Sequence, residues 1–209
     1  VGGGWIGLEI AAGARGKGAE VSVVHRDEQP LLGPLGPEMG KMFADLHRSH
    51  GVELHLGVDV SAVTTNGTAA SGLKLSDDRH LDGDIVLMAV GARPNIGLAK
   101  DAGLEMAMGG IKVDAGLRTS APDVYAVGDI AAWHHPLFNT RVRSEHWANA
   151  LNQPAVAAAN VLGGDESYDL LPYFFTDQYD LGMEFSGHPE GYQRIVTRGD
   201  IDSREFIAF

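Results

Sequence analysis

The feature that most restricts what this chain can fold into lies at its start. Gly2-Gly3-Gly4-Trp5-Ile6-Gly7 precedes an Ala-rich amphipathic segment reaching Gly18, and the apolar run Ala19 to Val24 follows. Gly2, Gly4 and Gly7 have the G-x-G-x-x-G spacing. Gly2 suits a tight turn, Gly4 lets a phosphate reach the backbone, and Gly7 lets the helix pack closely on a sheet, with the helix amino end turned to the phosphates. The glycines alone are also compatible with a ligand-free turn. A second strand at this distance makes them part of a βαβ unit. Val1 stands where the first strand should end, and Arg204 to Phe209 stops inside an apolar run without a turn or cap, so the sequence reads as an internal stretch of a longer protein.

The end of the second strand bears on which nucleotide is held. An NAD-type site has an Asp or Glu there to accept hydrogen bonds from the adenosine ribose, whereas this chain has His25 and Arg26. A missing acid and an added cation favour a 2′-phosphate, hence NADPH or use of both nucleotides. Asp27 and Glu28 come next, and supply the acid if the strand end shifts by a residue or two.

Further on, Pro30 to Pro37 is read as a loop, with Pro37 opening a helix that carries Met42, Phe43 and Leu46 on one face and stops at Gly51. Val52, Leu54 and Leu56 alternate as a strand. Short runs up to Leu81, separated by Asn66-Gly67 and Asp77-Asp78, predict an antiparallel meander. Asp84 to Val90 has the unbroken apolar character of a strand buried on both faces of a parallel sheet. Ile96 to Met108 reads as a short helical connection, Gly110 to Asp114 as a strand, and Trp133 to Val142 as a loop. His134 and His135 in that loop have no carboxylate or thiolate partner at ligand spacing, so no metal site is expected. An Ala-rich helix is expected from Arg143 to Leu162, with Pro154 kinking it or marking a new first turn.

Composition removes several functions. A net charge of −12 repels nucleic acid and anionic lipid, and no run has the length of a membrane helix. With no cysteine there is no dithiol, so redox chemistry in this stretch would belong to a bound cofactor.

Thr119-Ser-Ala-Pro-Asp-Val-Tyr-Ala-Val-Gly-Asp-Ile-Ala131 reads as a short strand, Val124 to Val127, running into Gly128 and an acid, Asp129, at the strand's carboxyl end. This string resembles the second flavin-binding motif of the two-dinucleotide-binding flavoprotein oxidoreductases, where the acid at the place of Asp129 hydrogen-bonds the FAD ribityl chain. Gly91-Ala-Arg-Pro-Asn95 is similar to the segment at which those families leave the nicotinamide domain, which implies that Gly91 lies near the nicotinamide. Glu145-His-Trp-Ala-Asn-Ala150 and Pro172 to Asp180 resemble the flavin-covering helix and the start of the C-terminal domain in oxygenase-type ferredoxin reductases and apoptosis-inducing-factor-like proteins. By that likeness Trp147 packs near the isoalloxazine, and the helix start at His146 and Trp147 faces the flavin pyrimidine.

The resemblance covers nearly the whole chain and implies an α/β fold. It is a Rossmann-like flavoprotein with two dinucleotide-binding domains and the start of a C-terminal α+β domain. The implied division is a nicotinamide nucleotide domain at 1–93, the later part of the FAD domain at 94–165, and the C-terminal domain from 166. Implied cofactor contacts are Gly2, Gly4, Trp5, Ile6, Gly7, His25, Arg26, Gly91, Gly128, Asp129, His146 and Trp147. No acid/base or nucleophilic residue is called for, because the cofactors carry the chemistry. The expected activity passes hydride from NAD(P)H to FAD and single electrons to a ferredoxin or Rieske-type iron–sulfur protein, in the cytoplasm, without nucleic acid or membrane; a homodimer is compatible with it. Two other readings are an apoptosis-inducing-factor-like NADH-binding flavoprotein with a partner-binding role, and a nucleotide-binding module that carries no flavin. The first FAD motif would precede Val1.

Overall fold

The computed structural model describes residues 1–189 and 191–209. They form two compact units, one of Val1–Gly91, Thr176–Met183 and Pro189–Phe209, the other of Ala92–Phe175 and Glu184–His188. The architecture is mixed α/β of the Rossmann type.

In the first unit α1 (Trp5–Gly16) leads to β1 (Ser22–His25), which pairs in parallel with β2 (Glu53–Leu56), Ser22 opposite Glu53 and His25 opposite Leu56. Between them runs α2 (Leu32–Ser49), interrupted at Gly36, where φ 77° and ψ 176° leave the helical region. Only glycine takes that conformation without strain, and regular helix resumes at Pro37, whose missing N–H is harmless in a first turn. Met42, Phe43 and Leu46 are buried with Leu8 of α1, and the Trp5 ring meets Phe43 edge-on at 5.9 Å. Each large side chain so buried stabilises the unit by about 1.5–3 kcal/mol. The expected meander forms as β3 (Val60–Asn66), β4 (Ala69–Leu75) and β5 (His80–Asp82), antiparallel throughout.

Residues 84–90 depart from expectation. They join no named strand, and Ile85 and Val90 are 88% and 67% exposed. The backbone still follows a parallel ladder with Val1, whose N-terminal amine donates to Leu87 O at 2.6 Å and whose carbonyl accepts from Ala89 N–H at 2.7 Å. Among the described residues the rest of the run pairs with no named strand.

A polar chain crosses the same unit. Thr176 Oγ1 donates to Glu9 Oε1 at 2.5 Å and accepts from Gln178 Nε2 at 3.1 Å. Gln178 Oε1 accepts from His47 Nε2 at 2.8 Å, and the Tyr179 hydroxyl lies 2.9 Å from His47 Nδ1. His47 is thereby the neutral Nε2–H tautomer, and burial holds its pKa below the ordinary value, against the pull of the Gln178 hydrogen bond.

In the second unit α3 (Gly97–Asp101) is shorter than the expected 96–108 helix, because Met106–Ala107 instead forms β6, paired antiparallel with β7 (Gly110–Val113). The loop expected at 133–142 is a hairpin. Its strands, β8 (Ala131–His135) and β9 (Thr140–Arg143), complete a sheet of order β6-β7-β8-β9, with β7 and β8 parallel. Trp133 and His135 are fully buried there, and His135 Nε2 is satisfied by Leu170 O at 3.1 Å. Ala131, Ala132, Trp133 and His135 of β8 are buried and His134 is partly so, a strand without the alternation that would have marked it in the sequence. Val124 to Val127 is likewise not a sheet strand. Its backbone folds back on 117–119, with one antiparallel bridge between Arg118 and Tyr125, and Val124 stays 41% exposed.

The last helix, α4 (Trp147–Val161), begins later than expected, because Arg143 ends β9, and it runs through Pro154. Its buried residues are Asn149, Gln153, Ala157 and Asn160, three amides and one alanine, while Leu151 and Val161 are 62% and 63% exposed. β10 (Tyr173–Gln178) pairs with β11 (Leu181–Ser186), and β12 (Thr197–Asp200) with β13 (Glu205–Ala208).

Candidate functional site

A cleft of about 400 Å³ opens at the amino end of α1, lined by Gly2, Gly4, His25, Arg26, Asp59 and Gly91 among others. The three fingerprint glycines do different work there. A Cβ at Gly2 would meet Ala89 O at 2.1 Å, and one at Gly7 would meet Gly2 O at 2.0 Å, so neither position has room for a side chain. At Gly4, the N-cap of α1, a Cβ would find nothing within 4 Å. Backbone-tight packing thus surrounds a bare helix start open to the cleft. No side chain caps it and no acid lies in its first turn, which suits an anionic phosphate.

The neighbouring predicted residues divide. His25 is mostly buried, accepts a hydrogen bond from Gly3 N–H at Nδ1 (3.2 Å), and sits with Nε2 3.4 Å from Asp27. Burial lowers its pKa, opposed by Asp27 and assisted by Arg26. It therefore props the glycine turn as a neutral ring. Arg26 is 74% exposed, its Nε 3.6 Å from Asp27 Oδ1. Trp5 turns into the α1–α2 core, and Ile6 is 65% exposed. Asp59 is an acid on the cleft that lies outside the βαβ pattern and so escaped the sequence reading.

In the second unit Gly128 and Asp129 stand in a 3-10 turn, Gly128–Ile130, that precedes β8. Gly128 is buried with φ +74°, and Asp129 is exposed. Gly128 N–H donates to Gln153 Oε1 at 2.7 Å, Asn149 Nδ2 donates to Gly128 O at 3.4 Å, and Arg143 Nη1 donates to Asp129 O at 3.0 Å. His146, the N-cap of α4, stacks on Phe174 with ring centroids 4.1 Å apart, and Phe174 stacks on Phe185 at 5.1 Å. Burial lowers the His146 pKa despite the nearby Glu145 and Asp129. Trp147 is 72% exposed.

These residues fit the flavin that the resemblance implies. Gln153 Nε2 and Asn149 Oδ1 are buried beside the turn without a partner, a spare donor and a spare acceptor for a polar ligand. The α4 start lacks both an acid and a capping side chain, as a site for electron-rich oxygens requires. Asn149 and Gln153 were not singled out from sequence. The available signal was their i, i+4 spacing in an otherwise Ala-rich helix.

The class defined by this fold and these turns is that of dinucleotide-binding oxidoreductases. Residues 1–154 match the pyridine nucleotide-disulphide oxidoreductase family and residues 173–209 the reductase C-terminal family. The chain belongs to the pyridine nucleotide-disulphide oxidoreductase family. It is 38% identical over its full length to the ferredoxin–NAD(+) reductase component of the anthranilate 1,2-dioxygenase system of Burkholderia cepacia, covering 51% of that protein. It is 34% identical to putidaredoxin reductase of Pseudomonas putida, again over the whole chain and 50% of that protein. Among solved structures it is similar to the ferredoxin reductase for the CYP199A2 system of Rhodopseudomonas palustris. That likeness has a TM-score of 0.93 at 38% identity and covers all of this chain and 51% of that one. The reductase–putidaredoxin complex matches with a TM-score of 0.94 at 33% identity, over 100% of this chain and 50% of that one. The chain spans about half the length of the relatives it matches. Among the described residues no helix is long and apolar enough to cross a membrane.

Proposed function

We propose that this chain is the nicotinamide-binding and flavin-covering part of an FAD-dependent NAD(P)H oxidoreductase of the ferredoxin reductase type. Bound FAD would supply the chemistry, hydride acceptance from the nicotinamide and one-electron delivery to a ferredoxin or Rieske-type iron–sulfur protein. Residues 1–93 form the nucleotide domain, 94–165 the later part of the flavin domain, and 166–209 the start of the C-terminal domain. The chain's residues bind and orient. First-turn N–H groups of α1 receive the pyrophosphate at Gly4, and Arg26 reaches the adenosine end. Gly91 leaves space at the nicotinamide end. Asp129 accepts hydrogen bonds from the flavin ribityl chain, while His146 and Trp147 cover the ring.

The observation that carries this reading is the contrast within one turn: Gly2 and Gly7 without room for a side chain, Gly4 with nothing opposite it. A ligand-free turn has no need of that combination. Visible absorbance of the purified whole protein, before and after anaerobic NADPH or NADH, tests it. A yellow protein bleached by one nucleotide is the expected result, whereas a colourless protein that binds nucleotide overturns the reductase reading.

A further inference from the structure

The turn that carries Asp129 has one backbone hydrogen bond of its own, from Ala131 N–H to Gly128 O, and is otherwise held by side chains from outside it. Gln153 Oε1 binds the N–H of Gly128 at 2.7 Å and Asn149 Nδ2 binds its carbonyl at 3.4 Å, so one amide grips the peptide on each side of the Gly128 α-carbon. A second hydrogen bond of Asn149, to Ser144 O at 3.2 Å, anchors the grip to the start of α4. Arg143 takes the next carbonyl, Asp129 O, at 3.0 Å. Glycine has the softest backbone of any residue, so the direction of the next side chain depends on whatever fixes its two peptides. Both amides are buried, 0% exposed for Gln153 and 3% for Asn149, in a helix stripe where apolar residues would pack more cheaply.

We propose that Asn149 and Gln153 act as positioning residues, a two-amide clamp on Gly128 that aims the Asp129 carboxylate at the flavin. The inference rests on the flavin reading above and extends it to residues that touch the cofactor's support.

The test uses the whole flavoprotein, stripped of flavin and titrated with FAD by fluorescence quenching, together with amide exchange over residues 126–131 and thermal melting. Gln153→Met and Asn149→Leu keep approximate volume and remove the grip. Each is expected to weaken FAD binding about tenfold and to speed exchange at Gly128. The double variant should fall short of the product of the two, because both act through one turn. Gln153→Glu retains an oxygen for the Gly128 N–H and should keep exchange slow, which also serves if Gln153→Met does not fold. Variants that melt earlier yet bind FAD with unchanged affinity and exchange Gly128 at the wild-type rate overturn the clamp and leave the flavin reading standing. A wild-type protein that takes up no FAD overturns both.

Discussion

Two helices of this chain each begin at a turn to which we assign a ligand, and they hold their turns by opposite means. α1 buries Gly7, Leu8, Ala11 and Ala12, small and apolar residues that let backbone lie against backbone. α4 buries Asn149, Gln153 and Asn160, whose side chains reach out to backbone groups elsewhere in its unit. At α1 the shape of the turn follows from exclusion, since no atom can be added at Gly7. At α4 it follows from hydrogen bonds that could be cut one at a time. A phosphate is held by a cluster of bare N–H groups, which exclusion gives; a carboxylate that must point in one direction is held by directional hydrogen bonds to its backbone.

Gly7→Ala should produce the largest effect. Its Cβ would meet a backbone oxygen at 2.0 Å, with no flexible side chain to yield. A loss of about 3 kcal/mol is expected in denaturant unfolding. Gly4→Ala, with open space around the new methyl, should change stability by less than about 0.5 kcal/mol while weakening nucleotide binding. Equal destabilisation by the two would break the contrast on the α1 side. Asn160→Leu probes the α4 side. Asn160 donates to Gly116 O at 2.9 Å and Glu166 O at 2.8 Å, and accepts from Glu166 N–H at 2.7 Å. Three backbone groups lose their partner at once, so about 2 kcal/mol should be lost, read by the same unfolding experiment. Near-neutral behaviour would show that α4 packs by shape like α1.

The difference between the helices also explains what could be read from the sequence. The α1 turn was legible because exclusion is written locally, as glycines at fixed spacing with a strand close behind. The meander was legible for the same reason, its turns marked by Asn66-Gly67 and Asp77-Asp78. Gln153 acts on a residue 25 positions away, Asn160 on one 44 away, and no local pattern announces either. The β8–β9 hairpin was missed because His134 and His135 look like loop residues until Leu170 supplies a carbonyl to His135. Residues 84–90 show the reverse error. Their apolar run promises a buried strand, but burial depends on neighbours distant in sequence, and among the described residues the run joins no named strand.

A third helix mixes the two modes and predicts a pH effect. α2 packs Phe43 and Leu46 by shape, yet buries His47 in the chain to Gln178 and Tyr179. The folded-state pKa of His47 lies below its ordinary 6.5, chiefly through burial, so the unfolded chain binds the extra proton first on acidification. The stability it contributes is complete above pH 6.5 and is lost as pH falls from there toward the folded pKa. The slope for one such group is at most about 1.4 kcal/mol per pH unit. Unfolding midpoints between pH 8 and 5 should therefore drop less steeply for His47→Gln than for wild type. Parallel curves would mean that the imidazole charges in place without disturbing the chain.

A shift in nucleotide choice is expected from the side chain proposed to read the nucleotide at the exclusion-built turn. Arg26 is exposed and leans on Asp27 at 3.6 Å, while His25 is occupied with Gly3 and Asp27. Arg26→Ala removes a cation for a 2′-phosphate and also frees Asp27 to accept from ribose hydroxyls. Both changes push the same way, so the affinity ratio of NADPH to NADH should fall about tenfold in equilibrium titrations. His25→Ala removes the acceptor for Gly3 N–H and should weaken both nucleotides together, leaving the ratio nearly unchanged. If instead His25→Ala moves the ratio and Arg26→Ala does not, the nucleotide's ribose meets the strand end at His25, and the turn is propped by something other than that ring.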